Sequence, residues 1–120
     1  MQTHMYFVAH VCEPMFEDER SERKYMRVTL TESGAEAVRR LHMFKRGALR
    51  NSIVEDPLMG RVLTVKIPFR YGRVMCKVEG SKPVQSLAVG DRVEADIEYC
   101  GTWNLQGRCG YTWKFKSLHT

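Results

Sequence analysis

The stretch RVEADIEYC, residues 92–100, alternates charged and apolar side chains from Arg92 to Tyr99. The apolar positions are Val93, Ala95, Ile97 and Tyr99, and the charged positions are Arg92, Glu94, Asp96 and Glu98. Because successive side chains of a β-strand point to opposite faces, this period of two predicts a half-buried strand. The solvent face of that strand is acidic, so a polyanion should avoid it.

Three other segments carry strand signals. Thr3–Cys12 is rich in aromatic and β-branched residues and predicts a central strand. Lys24–Leu30 alternates apolar with polar residues and predicts a half-buried antiparallel strand. Cys109–Leu118 also alternates, and its apolar face carries large aromatic residues that we expect in the core, namely Tyr111, Trp113 and Phe115.

Two alternating runs on either side of Tyr71-Gly72, Arg61–Phe69 and Arg73–Glu79, predict one long β-hairpin. Pro68 cannot donate to a ladder, which predicts an edge or a bulge at that point. Four cations project from one side of this hairpin: Lys66, Arg70, Arg73 and Lys77. Like charges across strands cost stability, so an anionic partner explains the array better than folding does. A solvated basic face is the alternative.

A change to helical period follows Ser33, which forms a Ser-x-x-Glu capping pattern with Glu36. At 100° per residue the predicted core face holds Ala37, Leu41, Phe44 and Ala48. The opposite face holds Arg39, Met43, Arg46 and Arg50. The pattern predicts an amphipathic basic helix that either covers the core with a solvated back or touches phosphate through Arg39 and Arg46.

Three segments are predicted to be loops. Glu13–Arg23 contains Pro14 and five acidic residues, and Gly80–Asp91 ends in a Val-Gly-Asp turn signal. Gly101–Gly110 is punctuated by glycines and carries Trp103 and Arg108. In such a polar loop we expect the Trp103 ring to be exposed.

The 120 residues, 43% of them hydrophobic, suit a single domain over residues 1–120. No segment approaches the roughly 18 apolar residues of a spanning helix, and the first twelve residues lack a signal-peptide pattern. We therefore expect a soluble, cytoplasmic protein without membrane contact, residing in the host cytoplasm if it is viral.

The formal net charge of +5 is unevenly distributed. The segment Arg39–Lys82 holds eleven basic and three acidic residues, a balance of +8, and the rest of the chain is therefore acidic. Segregated positive charge in a small domain is typical of a phosphate-binding surface.

Catalytic motifs are missing from the sequence, which lacks nucleophile-elbow, phosphate-loop and zinc-protease patterns. The four cysteines contain no Cys-x-x-Cys pair, so reduced thiols are the default. Two metal sites remain as alternatives: zinc on His10, Cys12, Cys100 and Cys109, or a nuclease metal on Glu94, Asp96 and Glu98. We predict a protein that is not an enzyme and needs no cofactor.

The C-terminal half, with VGDRV at 89–93 and GYTWKFK at 110–116, resembles the end of an OB-fold in small phage-type single-stranded DNA-binding proteins. The similarity covers roughly residues 61–118. It implies a five-stranded barrel that binds single strands through one strand face and its flanking loops, as homodimers or cooperative arrays. One feature departs from the family, because the helix predicted at 35–49 follows the second strand and not the third.

The prediction is therefore a mostly β protein, an OB-like antiparallel barrel with one amphipathic helix. We expect it to bind single-stranded nucleic acid, DNA more than RNA, with little sequence preference. A protein-interaction or inhibitor module of phage or plasmid type, whose basic face docks an acidic partner, is the alternative. The candidate binding residues are Tyr25, Arg27, Arg39, Arg46, Lys66, Arg70, Tyr71, Arg73, Lys77, Trp103 and Arg108.

Overall fold

A computed structural model describes residues 3–120 and shows a mostly β chain with a closed five-stranded barrel and one α-helix. The OB-like barrel predicted from the sequence is confirmed. The strands are β1 Thr3–Glu17, β2 Lys24–Leu30, β3 Ile53–Glu55, β4 Leu58–Met59, β5 Val62–Ile67, β6 Phe69–Arg70, β7 Arg73–Val74, β8 Lys77–Glu79, β9 Arg92–Leu105 and β10 Arg108–His119. Helix α1 spans Glu32–Lys45, and 3-10 turns follow at Arg46–Ala48 and Val84–Ser86.

The barrel consists of β1, β2, β5, β9 and β10. Strand β1 pairs antiparallel with β2 and β9, β2 with β5, and β9 with β10. A parallel contact between β5 and β10, at Lys66 and Lys114, closes the ring. Closure leaves these strands few free edges, which is how an OB-type Greek-key barrel avoids edge-to-edge association.

Alternation places one face of each barrel strand in the core. Met26, Val28 and Leu30 of β2 are fully buried, as predicted for that strand. The aromatic residues of β10 are buried too, which confirms that Tyr111, Trp113 and Phe115 belong to the core. Full burial of one large apolar side chain stabilises the fold by about 1.5–3 kcal/mol, so these faces hold the barrel together.

Helix α1 begins earlier than predicted and buries a different face. The cap is Thr31, whose Oγ1 accepts a hydrogen bond from the Gly34 N–H at 3.1 Å, so the capping box at Ser33 is wrong. The buried residues of the helix are Ala35, Val38 and His42, whereas Phe44 is 81% exposed. His42 contacts Tyr111 and Trp113 of β10, and these contacts turn the Ala35–Val38–His42 face of the helix toward the core in place of the predicted face.

The helix lies between the second and third barrel strands, β2 and β5, as the sequence indicated. Between the third and fourth barrel strands, β5 and β9, the chain instead forms β6, β7, β8 and a 3-10 turn. The predicted position of the helix, after the second barrel strand, is thus confirmed.

Strand β1 continues through the first part of the predicted acidic loop and ends at Glu17. The pairing with β2 shifts register between Val11 and Glu13 and again between Glu13 and Phe16. Such bulges leave a residue unpaired, so Pro14 is tolerated although it has no N–H to donate. The loop is limited to residues 18–23.

The long basic hairpin predicted for residues 61–79 is wrong. Strand β5 ends at Ile67 because Pro68 cannot continue the ladder, and only a short hairpin, β6–β7, surrounds Tyr71-Gly72. Strand β8 leaves this hairpin and pairs in parallel with β10, with Lys77 opposite Ser117. Lys77 therefore does not share a hairpin face with Lys66.

The predicted glycine loop at 101–110 is also wrong, since β9 and β10 extend into it and leave only the turn Gln106-Gly107. Both turn residues have positive φ, +50° and +79°, as a two-residue hairpin turn of primed type requires. Gly101 takes the irregular backbone at a bulge in this ladder, where its φ is +118°. Trp103 consequently lies on a strand.

Candidate nucleic-acid interface

A row of outward-facing residues crosses three barrel strands. Tyr25 of β2 lies opposite Lys66 of β5, and Lys66 lies opposite Lys114 of β10. Lys114 forms an ion pair with the buried Glu98 at 3.3 Å, whereas Lys66 has no carboxylate partner within residues 3–120. We call Lys66 and Lys114 the lysine pair.

Lys66 is placed in an unfavourable environment for a cation. Partial burial and the positive charges of Arg23 and Lys114 hold the pKa of its amine below the usual value. The protonated amine is therefore less stable in the folded chain than in the unfolded one, and a bound phosphate would offset that difference.

The β6–β7 hairpin presents an aromatic ring between two arginines. Tyr71 is 88% exposed at the tip, and Arg70 and Arg73, which flank the turn, make no ion pair within the described part of the chain. Tyr71 and Gly72 have φ of +56° and +72°, a strained conformation for a tyrosine. The Lys24 amine lies 5.5 Å from the centre of the Phe69 ring, so the hairpin adjoins the start of β2.

A groove of about 620 Å³ lies beside the lysine pair and shares Tyr25 with that row. Its aromatic lining residues are Phe16, Tyr25, Trp103, Tyr111 and Trp113. Its carboxylates are Glu17, Asp18, Glu19, Glu55 and Asp56. A concave surface of this size with a few polar groups suits a small ligand or one unit of a polymer.

Trp103 is half-buried in this groove because it packs over Gly110. A Cβ on Gly110 would lie 3.0 Å from Nε1 of Trp103, so only glycine lets the indole approach the strand so closely. The ring was expected to be exposed in a loop, and instead one side of it is held against the β9–β10 ladder.

Four of the predicted binding cations already have protein partners. Arg27 pairs with Glu13, donates to Thr64 at 3.1 Å and lies 4.6 Å from the centre of the Phe16 ring. The others form ion pairs with carboxylates: Arg108 with Glu55 at 2.8 Å, Arg39 with Glu36 at 3.3 Å and Lys77 with Glu79 at 2.9 Å. Arg46 is exposed just beyond the end of α1.

The acidic face predicted for β9 contacts β1 through Glu94 and Asp96 and contacts β10 through Glu98, whose burial contradicts the solvent exposure predicted for it. The Tyr6 hydroxyl donates to Glu94 at 2.5 Å and holds the pKa of that carboxyl below its usual value, while Asp96 contacts His4 at 2.8 Å. Glu98 is only 5% exposed and is paired with Lys114. These three carboxylates are therefore each engaged with a different protein group.

The four cysteines are free thiols that differ in environment. Cys109 is buried with its sulfur 3.3 Å from the carbonyl oxygen of Asn51, whereas Cys12 and Cys100 are exposed. Within residues 3–120, no three His, Cys, Asp or Glu side chains converge as metal ligands would.

The sequence pattern does not reveal that Lys114 and Arg23 lie near Lys66. The alternation in the last strand predicts an outer face that includes Lys114, but it does not indicate that this strand meets β5. Arg23 lies in the predicted acidic loop, and its influence on Lys66 follows from the β2–β5 pairing, which sets Lys24 opposite Ile67 and Tyr25 opposite Lys66.

Comparison with protein-family models, curated proteins and solved structures finds no match to this chain. Across residues 3–120, none of the helices is both long and apolar enough to cross a membrane.

Proposed function

We propose that this protein binds single-stranded nucleic acid, DNA in preference to RNA, with little dependence on sequence. The main support for this proposal is the lysine pair, which places two amines at facing positions of neighbouring strands beside an aromatic groove. Sequence-independent binding of single strands needs cations along the backbone and rings that stack on bases. This surface supplies both.

The phosphates would run over the lysine pair and Arg23 toward Arg70 and Arg73. Like charges directly opposite one another in a sheet are destabilising, and no carboxylate among residues 3–120 pairs with Lys66 to offset that cost. A phosphate at this position removes the repulsion, which supports a polyanionic partner over a purely structural role.

The stacking groups lie at the two ends of this path. Tyr71 is exposed on the hairpin, whereas Trp103 and Tyr25 line the groove. Rings at both ends allow bases to stack out of the solvent while the phosphates contact the cations. Because every base has a flat π-face, this mode of binding does not depend on base identity.

The direct test is to measure the dissociation constant of a labelled oligonucleotide as a function of salt. Neutralising phosphates releases counterions, so log K should fall linearly with log salt, with a slope near −0.7 per contact on a single strand. We expect a slope of about −2 to −4 for single-stranded DNA, and weaker binding of RNA and duplex of equal length. A flat salt response, or no binding of any of the three, would exclude the proposed function.

Substitution Tyr71→Asn should separate binding from stability at the hairpin tip. Asparagine tolerates positive φ and forms Asn-Gly, the favoured dipeptide of this turn, so the free energy of unfolding should rise by about 0.5–1 kcal/mol. Loss of the ring should weaken single-strand binding by about 1–3 kcal/mol. Thermal unfolding and oligonucleotide titration measure the two effects.

The matched control is Tyr6→Phe, which alters a tyrosine on the acidic β1–β9 face. That variant should bind single strands like the unaltered protein. If Tyr71→Asn binds equally well, the exposed ring does not contact bases.

A further inference from the structure

A chain of polar contacts runs from the barrel core to the groove. Nε1–H of Trp113 donates to Nε2 of His42 at 2.9 Å, and Nδ1 of His42 lies 3.1 Å from Oδ1 of Asp56. An indole N–H can only donate, so Nε2 is the acceptor and Nδ1 carries the proton of the neutral ring. The His42 side chain is 5% exposed.

Packing and hydrogen bonds fix the orientation of this histidine. Its ring stacks on Tyr111 with centroids 3.9 Å apart and planes 3° apart, and the Tyr111 hydroxyl donates to the His42 carbonyl oxygen at 2.8 Å. The Nδ1–H is not aligned well enough on Asp56 to make a linear hydrogen bond. It acts on the carboxylate as a close, fixed dipole.

One oxygen of Asp56 is thus used by the protein and the other is free for a ligand. Oδ1 also accepts a hydrogen bond from the Leu58 N–H at 2.9 Å, while Oδ2 makes none with residues 3–120. Burial would raise the pKa of Asp56, but the contacts with His42 and Leu58 outweigh it, so the pKa is lowered. Asp56 therefore presents an ionised acceptor at neutral pH.

Three of the other four carboxylates of the groove already accept from a cationic or hydroxyl side chain through one oxygen, whereas no such side chain donates to Asp56 among residues 3–120. Glu55 accepts from Arg108 at 2.8 Å and from Arg20 at 3.5 Å, Glu17 pairs with Lys24 at 3.3 Å, and Asp18 accepts from Ser21 at 2.7 Å. Five carboxylates against the two guanidinium groups of Arg20 and Arg27 leave the lining acidic, which disfavours a phosphate in the groove. A neutral, flat ring that donates a hydrogen bond suits the aromatic walls and the free oxygen of Asp56.

We infer that the groove holds a nucleobase with an exocyclic amino group and that Oδ2 of Asp56 accepts a hydrogen bond from that group. This inference rests on the proposed function and adds a preference at one position of the bound strand. Cytosine, adenine and guanine carry such an amine. Thymine and uracil flank their single N–H with two carbonyl oxygens, which a carboxylate repels.

The test compares oligo(dC) with oligo(dT) of equal length at pH 8, where cytosine is neutral. Both are weakly stacked pyrimidine strands, so the ratio of their dissociation constants isolates the base edge. The unaltered protein should bind oligo(dC) about tenfold more tightly, in the range of one good side-chain contact to a base.

Substitution Asp56→Asn should abolish this preference. The amide oxygen can keep the contacts of Oδ1 with His42 and Leu58, while the amide nitrogen replaces the free acceptor by a donor, which a carbonyl oxygen of either pyrimidine can accept from. Glu19→Gln is the control, since it removes the same charge from the same groove. It should strengthen binding of both oligonucleotides without changing their ratio.

A second measurement needs only the unaltered protein. Replacing both amine hydrogens of cytosine by methyl groups, as in N4,N4-dimethylcytosine, removes the hydrogen-bond donors that Asp56 would accept from. The affinity of this oligonucleotide should therefore fall to that of oligo(dT). Equal affinity of the unaltered protein for oligo(dC) and oligo(dT), or an undiminished affinity after methylation, overturns the base preference and leaves single-strand binding standing. Loss of binding to every oligonucleotide overturns both.

Discussion

Substitution Lys66→Glu should weaken binding of single-stranded DNA by about tenfold or more at low salt and flatten the salt dependence by one phosphate contact, about 0.7 in slope. The same change should not destabilise the fold. The introduced carboxylate would face Lys114 across the β5–β10 contact and remove its like-charge neighbour, while Lys114 keeps its ion pair with Glu98. We expect the free energy of unfolding to rise by about 0.2–1 kcal/mol.

The control for this prediction is Arg92→Glu, which changes the net charge by the same amount on the acidic β1–β9 face. Arg92 is exposed and weakly paired with Glu94 at 3.5 Å, so little structure depends on it. Titrations of both variants against salt, together with urea unfolding, distinguish a local contact from a general charge effect. Equal losses of affinity in the two variants would mean that the lysine pair is not a phosphate site.

Substitution Gly110→Ala should have the largest effect on stability. A Cβ at this position would lie 2.4 Å from the carbonyl oxygen of Glu55 and 3.0 Å from Nε1 of Trp103. The first atom belongs to the backbone of β3, so relief requires that β3 or the β9–β10 ladder moves. Overpacking of this kind costs about 1–3 kcal/mol and occasionally more, and we expect the upper end of that range.

The same substitution should also change the shape of the groove, because it displaces Trp103, which lines it. Binding per folded molecule should fall along with stability. Gly47→Ala is the matched control: apart from its chain neighbours and nearby helix backbone, no atom of residues 3–120 lies within 4 Å of a Cβ built there, so its effect on stability should stay within about 0.5 kcal/mol. If Gly110→Ala unfolds at the same urea concentration as Gly47→Ala, the close packing of β3 and Trp103 against β10 is incorrect.

Strict alternation was a sound guide to the barrel strands. Strand β2 has the predicted bounds, and the inward faces of β9 and β10 are those that the pattern indicated. The failures occur where a tertiary contact overrides local signals. Bulges carry β1 past Pro14, and a two-residue turn replaces a predicted ten-residue loop. Strands β3 and β4 are too short for a period to be recognised.

The candidate site was only partly accessible to sequence reasoning for a similar reason. The exposure of Tyr71 and its turn follow from the neighbouring glycine and the alternating flanks. The neutralisation of Arg27 by Glu13 and of Arg108 by Glu55 depends on pairings between distant segments. The role of His42 was equally hidden, since a lone histidine on a helix gives no sign of the tryptophan and aspartate it contacts.

The closure of the barrel has a consequence for how a ligand and the fold influence each other. Strands β5 and β10 meet at a single ladder position, which is the lysine pair itself. This ladder contact joins two like-charged residues, of which Lys114 is paired with Glu98 and Lys66 has no carboxylate partner among residues 3–120. An anion that touches both amines would bridge the seam, so ligand binding and barrel closure favour each other to the same extent. Such an anion would stabilise the closed barrel against local opening at this seam as well as against global unfolding.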